Sequence, residues 1–205
     1  MAALDAALAH PAVRALAAAL AARPGAVATV APDDPTPRRA AVAAVLRRAP
    51  GDAGPSLLFV KRAEYPGDPW SGHVALPGGR AEPGDATPWD TAARETWEET
   101  GLDLRRDARL LGTLDDLYPR TPTLPPIVVR PYVVVTGVTG PLRLSAELAD
   151  GFWVPVADLR RPDVDRTSTV TVRGHPLAVP SFVIERHIIW GMTERIVRQL
   201  LRLLD

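Results

Sequence analysis

Residues 78–104 read GGRAEPGDATPWDTAARETWEETGLDL, with three glutamates crowded into Arg94-Glu95-Thr96-Trp97-Glu98-Glu99. Helix signals follow the Gly-Gly turn. Thr87 suits the N-cap, Pro88 the first helical position, Asp90 the acid of a capping box, and Gly101 the position after the last turn. These signals predict a helix over Pro88–Thr100. On it, Glu95 and Glu99 are four residues apart and Glu95 and Glu98 three apart, which sets their Cβ atoms roughly 5 to 6 Å apart on one face. Left alone, they repel. Arg94 reaches Glu98 at the i,i+4 spacing, but one guanidinium does not neutralise three carboxylates. A bound hard cation, magnesium or manganese, accounts for the excess.

Trp89, Ala93 and Trp97 form an apolar strip expected to anchor this helix, leaving the acids to face a cleft. Leu76-Pro77-Gly78-Gly79 ends a strand in a turn where a backbone carbonyl can complete a metal shell and a phosphate can approach closely. For a bare Glu-Glu pair, a solvated acidic face is the ordinary reading. The ordered string of strand, Gly-Gly, capped helix, Arg-Glu and terminal glycine favours the metal site.

The chain has 205 residues, enough for one domain with a substantial core. Its 24 basic and 24 acidic residues cancel, so no global field recruits nucleic acid or an anionic membrane. Cysteine is absent, which excludes a disulfide framework, a thiolate nucleophile and Cys-ligated zinc. The Ala-rich start reads as a helix over 5–22, a packing or dimerising arm, and not as a targeting segment, because Asp5, His10 and Arg14 interrupt it. No run approaches the roughly 18 apolar residues of a membrane span. A cytoplasmic protein is expected, with an N-terminal helical extension over 1–30 and one domain over 31–205.

Beyond the central stretch, strands are expected over 39–48, with helix as an alternative for that Ala-rich run, and over 56–62, 73–76, 108–114, 127–136, 142–144 and 151–154. A hairpin is expected around Gly174-His175, a proline-rich loop over 118–126, and a helix over 188–204 with the core stripe Ile189, Met192, Ile196, Leu200 and Leu203. Mixed strands and helices imply an α/β or α+β layered domain.

From Gly79 to Leu102 the string resembles the signature of the Nudix hydrolases. Its second half, Arg94, Glu95, Glu98, Glu99, Gly101 and Leu102, is complete. The first half departs from the pattern: Asp85 stands where the signature has glutamate, one extra residue precedes Arg94, and Thr96 fills an apolar position. The resemblance implies an α/β fold, a Nudix-type α/β/α sandwich with a central mixed β-sheet, and metal-dependent hydrolysis of a nucleoside diphosphate derivative. It assigns Glu95, Glu98 and Glu99 as metal ligands or activators of water, Gly79 as a carbonyl donor to Mg2+ or Mn2+, and Arg94 as the residue that orients the glutamates. A catalytic cysteine of the isopentenyl diphosphate isomerase kind is absent.

Within that family the chain is most similar to the coenzyme A pyrophosphatase group, through residues 74–79 with Asp85, GTLDD at 112–116, FWVP at 152–155 and IWGMT at 189–193. Asp68 and Trp70 depart from that group near His73, where an acid replaces a base close to the expected phosphates. Coenzyme A or its thioesters is the substrate this likeness implies. A pyrophosphatase for ADP-ribose, NADH or another nucleotide is the alternative, and a non-catalytic nucleotide-binding module is the alternative from another class. Glu147 is a candidate general base that competes with an ordinary loop acid. Arg62, Gly78 and Arg80 are candidate substrate-binding residues. Tyr65, Trp70, Tyr118 and Trp190 are candidate stacking residues, with internal packing the commoner role. His73 and His187 read as structural. The partners expected are a small nucleoside diphosphate substrate and a second copy of the chain, without nucleic acid or membrane.

Overall fold

The computed structural model describes residues 2–32, 34–49, 54–65, 71–119, 125–172 and 174–204. At its centre lies a mixed sheet in the order β3-β2-β1-β6-β5, formed by β1 (Arg38–Arg48), β2 (Pro55–Arg62), β3 (Val74–Ala75), β5 (Ala108–Thr113) and β6 (Ile127–Thr136). Two further strands, β4 (Gly78–Arg80) and β7 (Leu148–Pro155), pair with β1 and β2 respectively. β1 and β6 run parallel, and the other pairs are antiparallel.

The Ala-rich run is thus a strand, and burial on both faces explains its composition. Ala41, Ala43 and Val45 point to one layer, while Ala40, Ala44 and Leu46 point to the other. Small side chains let both layers approach this central strand closely. One layer holds α3 (Pro88–Thr100) and α4 (Leu104–Asp107). The other holds α1 (Ala2–Ala9), α2 (Pro11–Ala22) and α5 (Gly191–Arg202), whose Ala7, Val13, Leu16, Leu20, Ile196, Val197 and Leu200 share one apolar cluster with the sheet. The result is an α/β/α sandwich.

Several expected boundaries change. The N-terminal segment is two helices bent by 73°, because Pro11 occupies the first turn of α2 and His10 caps it through Nδ1, 3.2 Å from the Ala12 N–H. Among the described residues no single helix is long and apolar enough to cross a membrane, although the two bent helices together meet that length. The C-terminal element begins as a strand, β10 (His187–Trp190), before α5. Its β-branched pair Ile188-Ile189 joins a ladder with β9 (His175–Ile184), and Gly191 at φ 69° turns the chain into the helix. Residues 142–144 form no strand: they lie beside the end of α3, and the Arg143 N–H donates to the Thr100 carbonyl at 2.9 Å.

The hairpin expected around Gly174-His175 is present, with β8 (Asp165–Val172) antiparallel to β9 and Val172 opposite His175. β8, β9 and β10 make a separate three-stranded sheet. Asp68, Trp70 and much of the proline-rich loop at 118–126 lie outside the described residues.

Candidate active site

Helix α3 starts as its sequence dictates. The Asp90 N–H donates to Thr87 Oγ1 at 3.2 Å and the Thr87 N–H donates to Asp90 at 2.9 Å, which closes a capping box. It ends at Gly101, left-handed at φ 71°. Its buried face is Thr91, Ala92, Ala93, Thr96, Glu99 and Thr100. Trp97 is not part of the anchor: it is 42% exposed, with the Arg143 guanidinium 5.3 Å from its ring centre. The helix is rotated relative to the expected strip, so Glu99 points inward while Glu98 stays in solvent. Thr96, at the signature's apolar position, is fully buried and donates its hydroxyl to the Ala92 carbonyl at 2.7 Å. That bond satisfies the polar group.

Arg94 is the hub. Its Nε and Nη2 both bond Asp85 at 3.1 Å, Nη2 also donates to the Arg80 carbonyl at 3.0 Å and to Glu95 Oε1 at 3.2 Å, and Nη1 donates to Glu98 Oε2 at 3.1 Å. Asp85 thus has a definite place despite its departure from the signature. Its carboxylate also accepts from Thr91 Oγ1 and the Glu82 N–H, each at 2.9 Å. The Arg94 guanidinium and these donors hold its pKa down to about 2, against the opposing effect of burial. This fork binds the loop before α3 to the helix and orients Glu95 and Glu98.

Gly78 and Gly79 bring the backbone against the glutamates. Gly78, at φ 147°, donates its N–H to Glu99 Oε2 at 3.0 Å. A Cβ built on Gly79 would overlap the Glu95 carboxylate, so that carboxylate lies directly on the turn. Burial raises the pKa of Glu99 to about 7, with the neighbouring charges of Glu95 and Glu147 adding to the rise and the Gly78 N–H and Arg62 opposing it. Burial also raises that of Glu95, partly offset by Arg94. Among the described residues no three acidic or imidazole groups converge into a ready cation cage. The donor chemistry nevertheless fits a hard cation: two desolvated carboxylates, Glu95 and Glu99, adjoin a glycine turn.

The remaining candidates divide into two groups. Arg62 pairs across the ladder with Leu148, the residue after Glu147, and the Ala63 N–H donates to the Glu147 carbonyl at 2.8 Å. Arg62 and Glu147 therefore stand at the same edge as Glu99, whose proton affinity responds to both. The Arg80 side chain is exposed, and its carbonyl serves Arg94. His73 packs edge-on to Trp190 with ring centres 4.8 Å apart. His187 is buried and stacked on Phe152 at 4.0 Å, and burial lowers its pKa.

Asp115 and Asp116, seen in the sequence only as part of GTLDD, bind the N-terminal segment. Asp115 accepts from the Ala26 N–H at 2.9 Å and from Arg23 at 3.0 Å. Asp116 accepts from the Ala28 N–H at 3.0 Å and, in a fork, from Arg130 at 2.8 Å.

Fold and site together define a mixed-sheet sandwich with a glycine turn facing an acidic, capped helix. The chain belongs to the Nudix family, whose domain model matches residues 37–172. It is 34% identical over 152 residues to an uncharacterized Schizosaccharomyces pombe protein, covering 65% of this chain and 46% of that one. It is 29% identical over 158 residues to the mouse mitochondrial coenzyme A diphosphatase NUDT8, covering 73% and 71%. The chain thus spans about half the length of the first relative and more of the second. The crystal structure of a MutT/nudix family protein from Enterococcus faecalis superposes with a TM-score of 0.55 at 18% identity, over 86% of this chain and 66% of that one, a likeness of fold.

Proposed function

We propose that the chain is a divalent-metal-dependent hydrolase that cleaves the diphosphate linkage of a nucleoside diphosphate derivative, coenzyme A or its thioesters being the leading substrate. The observation that carries this reading is the pair of desolvated carboxylates, Glu95 and Glu99, held against Gly78 and Gly79. A binding module has little use for desolvated acids set side by side against a glycine turn. A cation does.

Glu95, Glu98 and Glu99, with the Gly79 carbonyl, are the groups that would hold Mg2+ or Mn2+. When bound, such an ion neutralises diphosphate charge and acidifies a coordinated water. Arg94, held by its fork to Asp85, fixes Glu95 and Glu98, and the Gly78 N–H fixes Glu99. Gly78, the third residue read as substrate-binding, instead packs against β1, where a Cβ would collide with Ala41 and Val42, and its N–H is bonded to Glu99. Arg62 and Arg80 supply guanidinium donors for phosphate oxygens, and Glu147 takes the proton of the attacking water. The likeness to the mouse coenzyme A diphosphatase supports the substrate choice. ADP-ribose, NADH and other nucleotides remain the alternative substrates.

The test is a hydrolysis panel of coenzyme A, ADP-ribose, NADH, diadenosine polyphosphates and nucleoside triphosphates with Mg2+ or Mn2+. The expected result is cleavage of coenzyme A to 3′,5′-ADP and 4′-phosphopantetheine, with kcat reduced by roughly 10² or more in Glu99→Gln. Preference for another compound overturns the substrate and keeps the chemistry. No metal-dependent turnover of any member overturns the hydrolase reading.

A further inference from the structure

Glu147 lies in an exposed turn, and a group asked to meet one particular water needs that turn held still. Its backbone is held from two directions. On the α3 side, the Ser145 N–H donates to the Glu99 carbonyl and the Arg143 N–H to the Thr100 carbonyl, both at 2.9 Å. On the β2 side, the Ala63 N–H donates to the Glu147 carbonyl at 2.8 Å. The turn closes on itself through the Leu148 N–H and the Ser145 carbonyl at 3.2 Å.

A side-chain tether completes the arrangement. Tyr65 Oη donates to the Ala146 carbonyl at 3.0 Å, one residue before Glu147. Tyr65 is 51% exposed, so it is not there to fill the core. Its own backbone is fixed, because the Tyr65 N–H donates to Ser71 Oγ at 2.8 Å across the base of the loop that precedes β3. The tyrosine therefore links two segments that meet at the edge of the site: the loop leading to the Gly-Gly turn, and the turn that carries Glu147.

We propose that Tyr65 is a positioning residue for Glu147, its hydroxyl holding the 145–148 turn in register with Glu99. This rests on the hydrolase reading above and on Glu147 as its base. In this role Tyr65 acts through the Ala146 carbonyl. Removing the hydroxyl alone leaves the ring and lets the turn drift. Substrate affinity, set by other groups, stays nearly unchanged.

The experiment is a double-mutant cycle of Tyr65→Phe and Glu147→Gln, using the substrate that the wild type turns over best, with amide exchange of Ala63 and Leu148 in each protein. Tyr65→Phe is expected to lower kcat roughly tenfold with KM within about twofold, and to have no further effect on the Glu147→Gln background. The Ala63 and Leu148 amides exchange faster in Tyr65→Phe than in wild type. An unchanged kcat in Tyr65→Phe beside an impaired Glu147→Gln overturns the inference and leaves the hydrolase reading intact, as does an equal loss in both backgrounds. A fully active Glu147→Gln overturns it by removing the base. If the wild type turns over nothing, the hydrolase reading fails by itself, and unchanged exchange in Tyr65→Phe then excludes the tether.

Discussion

Glu99 is the most deeply buried of the three glutamates on α3. A carboxylate with an ordinary pKa of 4.5 is raised to about 7 by burial, so in the metal-free protein the folded state keeps a proton that the unfolded chain has already released between those values. More protons bound in the folded state means that unfolding free energy falls as pH rises. The loss begins near pH 4.5, is complete above about pH 7, and is on the order of 3 kcal/mol at 1.36 kcal/mol per pKa unit. Denaturant titrations in chelator should show this decline across pH 5 to 8, and Glu99→Gln should flatten it. Adding Mg2+ should recover stability at the alkaline end, because a ligand of the ionised form adds RT ln(1 + [L]/Kd). A flat profile in chelator would show that Glu99 is better solvated than its burial implies.

At the scale of elements, GTLDD works as a clasp, and its two aspartates should differ in weight. The Asp116 side chain is 1% exposed and bonds both the Ala28 N–H and Arg130, whose side chain is 25% exposed, whereas the side chains of Asp115 and Arg23 are 32% and 64% exposed. Removing one partner of a buried pair strands the other, at about 3 kcal/mol, while an exposed pair is worth under about 1 kcal/mol. Urea unfolding should therefore separate Asp116→Ala from Asp115→Ala by roughly 2 kcal/mol, and equal losses would mean that the backbone, not the fork, holds the segment. This pair also marks where the sequence stopped being readable. Helix α3 was legible to its last residue because every signal for it is local: Thr87, Pro88, Asp90 and Gly101 act within one turn. The partners of Asp116 lie 88 and 14 residues away, and no local pattern names them. Trp97 misled for a related reason, since the helix's rotation is fixed by small residues, Ala92 and Ala93 against Ala41 and Ala43, and not by its largest side chain. The β10 strand was missed because Ile188 and Ile189 suit helical spacing as well as a ladder, and only β9 decides between them.

Across the whole molecule, the N-terminal helices belong to the core although they precede the family match, which begins at residue 37. Val13, Leu16 and Leu20 are each at most 4% exposed and share one apolar cluster with Leu57, Phe59 and Leu200. Gly112 lies under Leu20, and a Cβ built on Gly137 or Gly25 would meet Leu4 or the Leu114 carbonyl, so the segment fits closely against the sheet. Burying three large aliphatic side chains contributes about 1.5 to 3 kcal/mol each, a sum comparable with the whole stability of an ordinary domain, about 5 to 15 kcal/mol. A chain lacking residues 2–22 should lose most of its cooperative melting transition and associate through the exposed apolar face, as read by circular dichroism and size-exclusion chromatography. The alternative is an arm that docks without supporting the fold. In that case the truncated chain would melt within a few degrees of the full one and remain the same size, and the buried leucines would be passengers on a sheet that other side chains already cover.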